Sequence, residues 1–183
     1  MNNDLNTIYS SLYPYLRKIR GRVDSTDVGK FTQLLLDSEI ITLFGNLDII
    51  PMGMFSSTPI SDIKLPDSIK EIGSEAFSAC VNLSTIEIPA SVREISRQAF
   101  VNSGLTEVKL NEGLVEIGDT AFAVTPLKHV TIPASVKIIQ TSFLFSDVQS
   151  VEFLGNSALD VLDLGLRTDT KIIIPHDADA LYK

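Results

Sequence analysis

Glu107, His129 and Ser150 follow one another at intervals of 22 and 21 residues, and an acid, an imidazole and a hydroxyl are the parts of a hydrolytic triad. That chemistry also needs a pocket and oxyanion donors. A flat ladder of strands, which the spacing implies, supplies neither, so the three read as outward residues of a sheet. His176 stands 47 residues beyond His129 and forms no ligand spacing with it. Asp177 and Asp179 could suggest a cation site, but acidic residues also favour the first turn of a helix, and a closing helix is the simpler reading. Cys80 is the single cysteine, which excludes an internal disulfide, and no Cys/His spacing resembles a zinc site. Met52, Met54 and Phe55 could make a soft binding patch, although Met54 and Phe55 fit core packing better. There is no Gly-rich phosphate loop, paired-carboxylate pocket or metal cluster. A protein that is not an enzyme and carries no cofactor is expected.

The chain of 183 residues is 44 % hydrophobic, enough for one domain with a real core. Its formal charge of -8 is unevenly spread. Residues 1–40 hold five basic and five acidic groups, whereas the remainder holds 10 Lys/Arg against 18 Asp/Glu. An acidic surface repels phosphate backbones and anionic membranes, so neither nucleic acid nor membrane is an expected partner. The start lacks a secretory signal, and no window reaches the about 18 apolar residues that span a bilayer. A cytoplasmic location is expected, or the virion if the chain is phage-encoded.

What must position these residues is a repeat. Ile63-Lys64-Leu65-Pro66, Ile86-Glu87-Ile88-Pro89, Val108-Lys109-Leu110-Asn111 and Val130-Thr131-Ile132-Pro133 begin at intervals of 23, 22 and 22 residues. Val151-Glu152-Phe153 and Ile172-Ile173-Ile174 continue at intervals of 21, and Ile41-Thr42-Leu43 precedes the series by 22. Periods of this length indicate stacked units, each unable to bury its apolar face alone. Seven coils of 21–23 residues are expected. Within a coil, alternation predicts a strand with one buried face, ended by Pro. A second short extended piece follows, with Ile69 and Ile72, or Val92 and Ile95, turned inward. Gly73 and Gly118 suit a tight turn. An Ala-Phe phrase then stacks Phe77, Phe100 and Phe122, with Phe55 before them and Phe143 after.

Residues alternating with the buried ones should point outward and form columns. One is Ile40, Asp62, Thr85, Glu107, His129, Ser150, Lys171; the other is Thr42, Lys64, Glu87, Lys109, Thr131, Glu152, Ile173. Lys64, Glu87 and Lys109 alternate in sign, and opposite charges on neighbouring strands stabilise pairing modestly.

The phrase I-P-x-S-V/I-x-x-I-x-x-x-A-F is similar to the BspA-like class of leucine-rich repeats, and the resemblance covers roughly residues 40–183. Cys80, three residues after Phe77, sits where that class often has a cysteine, and "IIIPHDADALYK" resembles the closing segment of such arrays, a last strand, Pro and a short helix. Two departures stand out: the coil at 137–143 is one residue short, and "LGNSALDVLDLGLRTDT" lacks the Ala-Phe phrase. The resemblance implies an α+β leucine-rich-repeat solenoid with a parallel sheet, a scaffold for binding proteins with adhesion as its usual role, and it carries over no catalytic residues.

Residues 1–39 form a separate segment before the solenoid of 40–183. Leu5, Ile8, Leu12, Leu16 and Ile19 recur at helical spacing, divided by Pro14, and a second helix with Val28, Phe31, Leu34 and Leu35 is expected after Ser25. These helices cap the first coil, or they dock onto another subunit. Tyr9, Tyr13, Tyr15, Arg17, Lys18, Arg20 and Arg22 are typical interface anchors, so a homo- or hetero-oligomer through the helices is possible.

The expected function is non-catalytic protein recognition or adhesion. Candidate contact residues are Asp62, Lys64, Thr85, Glu87, Glu107, Lys109, His129 and Thr131 on the columns, and Tyr9, Tyr13, Arg17 and Arg20 before them. The alternative is a structural component of a larger assembly, such as a phage virion appendage, attached through the amino-terminal helices.

Overall fold

The computed structural model describes residues 40–42, 47–155, 160–161 and 163–175. Two kinds of strand alternate along the chain. The longer ones are β1 (Ile40–Thr42), β3 (Asp62–Lys64), β5 (Thr85–Ile88), β7 (Glu107–Leu110), β9 (His129–Ile132), β11 (Ser150–Phe153) and β13 (Lys171–Ile173). Between them lie two-residue strands, β2 (Ile49–Ile50), β4 (Glu71–Ile72), β6 (Glu94–Ile95), β8 (Glu116–Ile117), β10 (Ile138–Ile139) and β12 (Asp160–Val161). Every pairing is parallel and joins one coil to the next, as in a solenoid.

The long strands make a front wall in three hydrogen-bonded groups, β1-β3, β5-β7 and β9-β11-β13. The short strands make one continuous six-stranded rear sheet, β12-β10-β8-β6-β4-β2. Alternation does what the residue types demand. Along β5, Thr85 and Glu87 are exposed while Ile86 and Ile88 are buried, and β9 repeats the pattern with His129 and Thr131 outward. On the rear sheet Glu71, Glu94 and Glu116 fall in direct register. The Ser96 hydroxyl lies 2.9 Å from Glu94 Oε1 and 3.3 Å from Glu71 Oε1.

A third wall closes each turn without any strand. Glu75, Gln98 and Thr120 adopt φ of 57°, 57° and 53°, and four residues later Ala79, Asn102 and Val124 return to φ of 56°, 57° and 55°. Between each pair sits the Ala-Phe phrase. The left-handed residues turn alternate amides toward the next coil. Thus Glu75, Phe77 and Ala79 donate to the carbonyls of Arg97, Ala99 and Val101 at 3.1, 2.7 and 2.8 Å. This ladder presses the rings together. Phe55, Phe77, Phe100, Phe122 and Phe143 stack with centroids 5.1, 5.1, 5.2 and 5.8 Å apart, within the range for aromatic pairs, and all five are fully buried. The widest gap falls at the short coil, where the missing residue is the first left-handed one: Gln140, Thr141 and Ser142 stand where Gly118, Asp119, Thr120 and Ala121 stand one coil earlier.

Two expectations need correction. Among the described residues there is no helix, so this part is a parallel-sheet β-solenoid, not α+β. A coil of about 22 residues is used up by two strands and the left-handed wall. The helices expected over 1–39, with Tyr9, Tyr13, Arg17 and Arg20, and the closing helix after Pro175 lie outside the described residues. The expected seven coils reduce to about five complete turns, those that carry both strands and a stacked ring; the last coil places Gly165 (φ 68°) beside Leu144 where a sixth ring would follow. Gly73 opens a turn, as expected, its carbonyl accepting from the Ala76 amide at 3.2 Å, and it also serves close approach, since a Cβ there would lie 2.6 Å from the Ile50 carbonyl oxygen. No helix of the described residues is long and apolar enough to cross a membrane.

Candidate functional site

The outward columns of the front wall are the surface that repeats do not dictate. Cα registers pair Thr85 with Glu107, Glu87 with Lys109, His129 with Ser150 and Thr131 with Glu152. Asp62, Lys64, Thr85, Glu87, Glu107, Lys109, His129 and Thr131 are all exposed. Each stands opposite a buried residue of its own strand, so the sheet itself orients it.

The strongest polar contact on this wall joins β5 to β7. Lys109 Nζ donates to Glu87 Oε1 at 2.6 Å, and Asn111 Nδ2 donates to the same oxygen at 3.1 Å and to the Ile88 carbonyl at 2.9 Å. Sequence reasoning missed Asn111. Its signal was that it replaces the proline found at Pro66, Pro89 and Pro133, which frees a side-chain donor at that corner. The Lys109 hydrogen bond first, then that of Asn111, holds the Glu87 carboxyl below the usual glutamate value. Because the folded value is depressed, this contribution to stability is present above the unfolded pKa and is lost as pH falls through the folded one. Both side chains are more than half exposed, so solvent screens the pair and its contribution is small. Carbon-detected NMR titration is expected to place the Glu87 midpoint below the usual glutamate value, and Lys109→Gln is expected to move it back up.

His129 Nδ1 lies 2.7 Å from Ser150 Oγ. Both ends of this pair sit on the open wall, and among the described residues no hydrogen bond joins His129 to Glu107. Strand β7 is not hydrogen-bonded to β9, so acid and imidazole stand on opposite sides of a seam. A hydroxyl and an imidazole on an open surface, without an acid to orient the ring or donors to hold an oxyanion, do not make a nucleophilic centre. Cys80 is equally remote from chemistry. Its thiol donates to the Phe55 carbonyl at 2.9 Å, is fully buried, and is pushed up in pKa by that burial, against a smaller lowering by Thr58. A buried thiol of raised pKa is a packing group. It belongs to a column of small polar side chains three residues after each ring, in which Thr58, Thr125 and Ser146 donate to the carbonyls of Phe55, Phe122 and Phe143 at 2.7, 2.7 and 2.6 Å. Met54 and Phe55 are buried, whereas Met52 is 75 % exposed. The soft patch therefore reduces to one methionine.

Known proteins share this geometry. A leucine-rich-repeat protein of T. pallidum superposes with a TM-score of 0.63 at 22 % identity, covering 79 % of this chain and 80 % of that one. One from Eubacterium ventriosum gives 0.64 at 19 % identity over 79 % and 41 %. The pneumococcal vaccine antigen PcpA gives 0.59 at 26 % identity over 63 % of this chain and 30 % of its own. The chain thus spans less than a third of that antigen's length. No curated protein sequence matches it. The model of the BspA type leucine rich repeat region matches residues 30–156 with six copies. With the stacked rings, the parallel registers and this match all in one phase, the chain belongs to the BspA type leucine-rich-repeat family.

Proposed function

We propose that the chain is a non-catalytic protein-recognition module whose partner surface is the front wall. The observation that carries this reading is the exposure, in register on a rigid stack, of Asp62, Lys64, Thr85, Glu87, Glu107, Lys109, His129 and Thr131. Repeat folds present such walls as extended binding surfaces. Membership of a repeat family that is typically non-catalytic supports the reading, as does the likeness to a bacterial antigen. Mixed charge in alternating columns gives specificity for a partner of matching pattern.

The test is affinity capture from the native source with two baits. One is the wild-type chain; the other exchanges the ion pair, Glu87→Lys with Lys109→Glu, which keeps the fold and inverts the surface pattern. One protein is expected to be enriched on the wild type and lost from the exchanged bait. Equal capture by both, or hydrolytic turnover that His129→Ala abolishes, would contradict the proposal.

A further inference from the structure

The two outward columns of the front wall differ in how their charge is spent. The second balances itself: Lys64, Glu87, Lys109 and Glu152 alternate in sign along it, and Lys109 is bonded to Glu87 at 2.6 Å. The first does not. Asp62 and Glu107 stand in its amino-terminal half with Thr85 between them, and Lys171 closes the other half beside Ser150. All three charged groups are exposed, and among the described residues none of them has an ion-pair partner. The sign changes at the seam between β7 and β9, which lie side by side without sharing a ladder.

Hydrogen-bonding capacity changes at the same seam. Ionised carboxylates such as Asp62 and Glu107 only accept. Beyond the seam, His129 Nδ1 and Ser150 Oγ lie 2.7 Å apart and share one hydrogen. A neutral imidazole has one N–H and serine one O–H, so in either tautomer one is used between the two residues and the other is left over. Ser150 is in Cα register with Lys171, whose ammonium group adds further donors. One half of the column thus presents acceptors of negative charge, and the other presents donors beside a positive charge.

We infer that the partner segment lying on this wall is an extended peptide with a basic residue over Thr85, between Asp62 and Glu107, and an acidic residue four positions away over Ser150, between His129 and Lys171. Charge complementarity selects those residue types. Spacing selects the conformation. Thr85 and Ser150 are three strand intervals apart, about 14 Å. Four residues of extended chain rise about 13 to 14 Å and return the two side chains to the same face. A helix covers that distance in about nine to ten residues, whose side chains point well away from one another. The inference rests on the front wall being the partner surface, and it adds the chemistry and orientation of what lies there.

Amide NMR titration of the full chain at low salt with two capped octapeptides of serine and threonine tests this. One peptide carries Arg at its second position and Glu at its sixth. The other has the same Arg with Glu at the fifth, which puts the charges on opposite faces of an extended chain. The first is expected to shift the amides of Thr85, Glu107, Ser150 and Lys171 and to bind roughly two- to fivefold more tightly than the second, the effect of one exposed ion pair. Glu107→Gln and Lys171→Gln should each remove a similar factor, and Glu107→Gln should cost nothing toward a first peptide whose Arg is replaced by Gln. Equal binding of the two spacings, or front-wall amides that respond to neither, overturns the inference. Capture with the Glu87 and Lys109 exchange judges the recognition role separately, because neither residue belongs to the first column.

Discussion

Phe100→Ala is expected to destabilise the protein by about 3 to 5 kcal/mol. The ring is fully buried at the centre of the stack, 5.1 Å from Phe77 and 5.2 Å from Phe122 with interplanar angles of 2° and 1°. The cavity left behind has little means of collapsing. The Phe77 amide bonds the Ala99 carbonyl at 2.7 Å and the Phe100 amide bonds that of Ala121 at 2.8 Å, so the ladder holds the coils apart at ring spacing. In a solenoid each coil contacts only its neighbours, and a void in the middle weakens two interfaces together. Urea unfolding is the measurement: the midpoint should drop steeply, while Glu87→Gln on the exposed wall leaves it nearly in place. Similar midpoints for the two variants would mean that the ring stack does not hold the coils together.

Gly104→Ala is the second large effect, and its cause is an insertion elsewhere. Between Phe77 and Ile86 the chain has one residue more than between Phe100 and Val108. The surplus emerges at Val81 and Asn82, both exposed, and brings the Val81 carbonyl down onto the following coil. A Cβ at residue 104 would lie 2.1 Å from that oxygen and 2.8 Å from its carbon. Both atoms are backbone, and the Gly104 amide is itself bonded to the Cys80 carbonyl at 3.1 Å, so neither coil can give way without losing a hydrogen bond. Overpacking of this kind costs about 1 to 3 kcal/mol, and contact with backbone alone puts it at the upper end. Deleting Val81 restores the shorter interval and is expected to recover part of the loss in the double variant. Losses that simply add in thermal melts would show that the bulge and the glycine are unrelated.

These two residues show what the sequence makes legible. Phe100 could be placed in the core beforehand because alternation and the 22-residue period both point there, and the same logic put Ile63, Ile86, Val108, Val130 and Val151 inside and Glu87 and Lys109 outside. Those positions depend on periodicity, which a one-dimensional pattern records directly. Gly104 could not be read that way, because its constraint comes from an atom 23 residues earlier that is close only once the coils stack. The left-handed wall was hidden for a related reason. Glu75, Gln98, Thr120 and Val124 carry no turn signature of their own; closing the coil imposes φ on whichever residue stands there. Nor did spacing reveal that β7 and β9 share no ladder, which separates Glu107 from His129.

The claim that matters most for function is that the stack is scaffold and the front wall is the reader. Calorimetric titration of the captured partner into a chain carrying Lys64→Ala, Glu87→Ala, Lys109→Ala and Thr131→Ala together tests it most directly. Affinity is expected to fall by roughly a hundredfold or more, the effect of removing a cluster of contact residues, with the melting temperature within a few degrees of the wild type. Undiminished affinity in that folded variant would contradict the account.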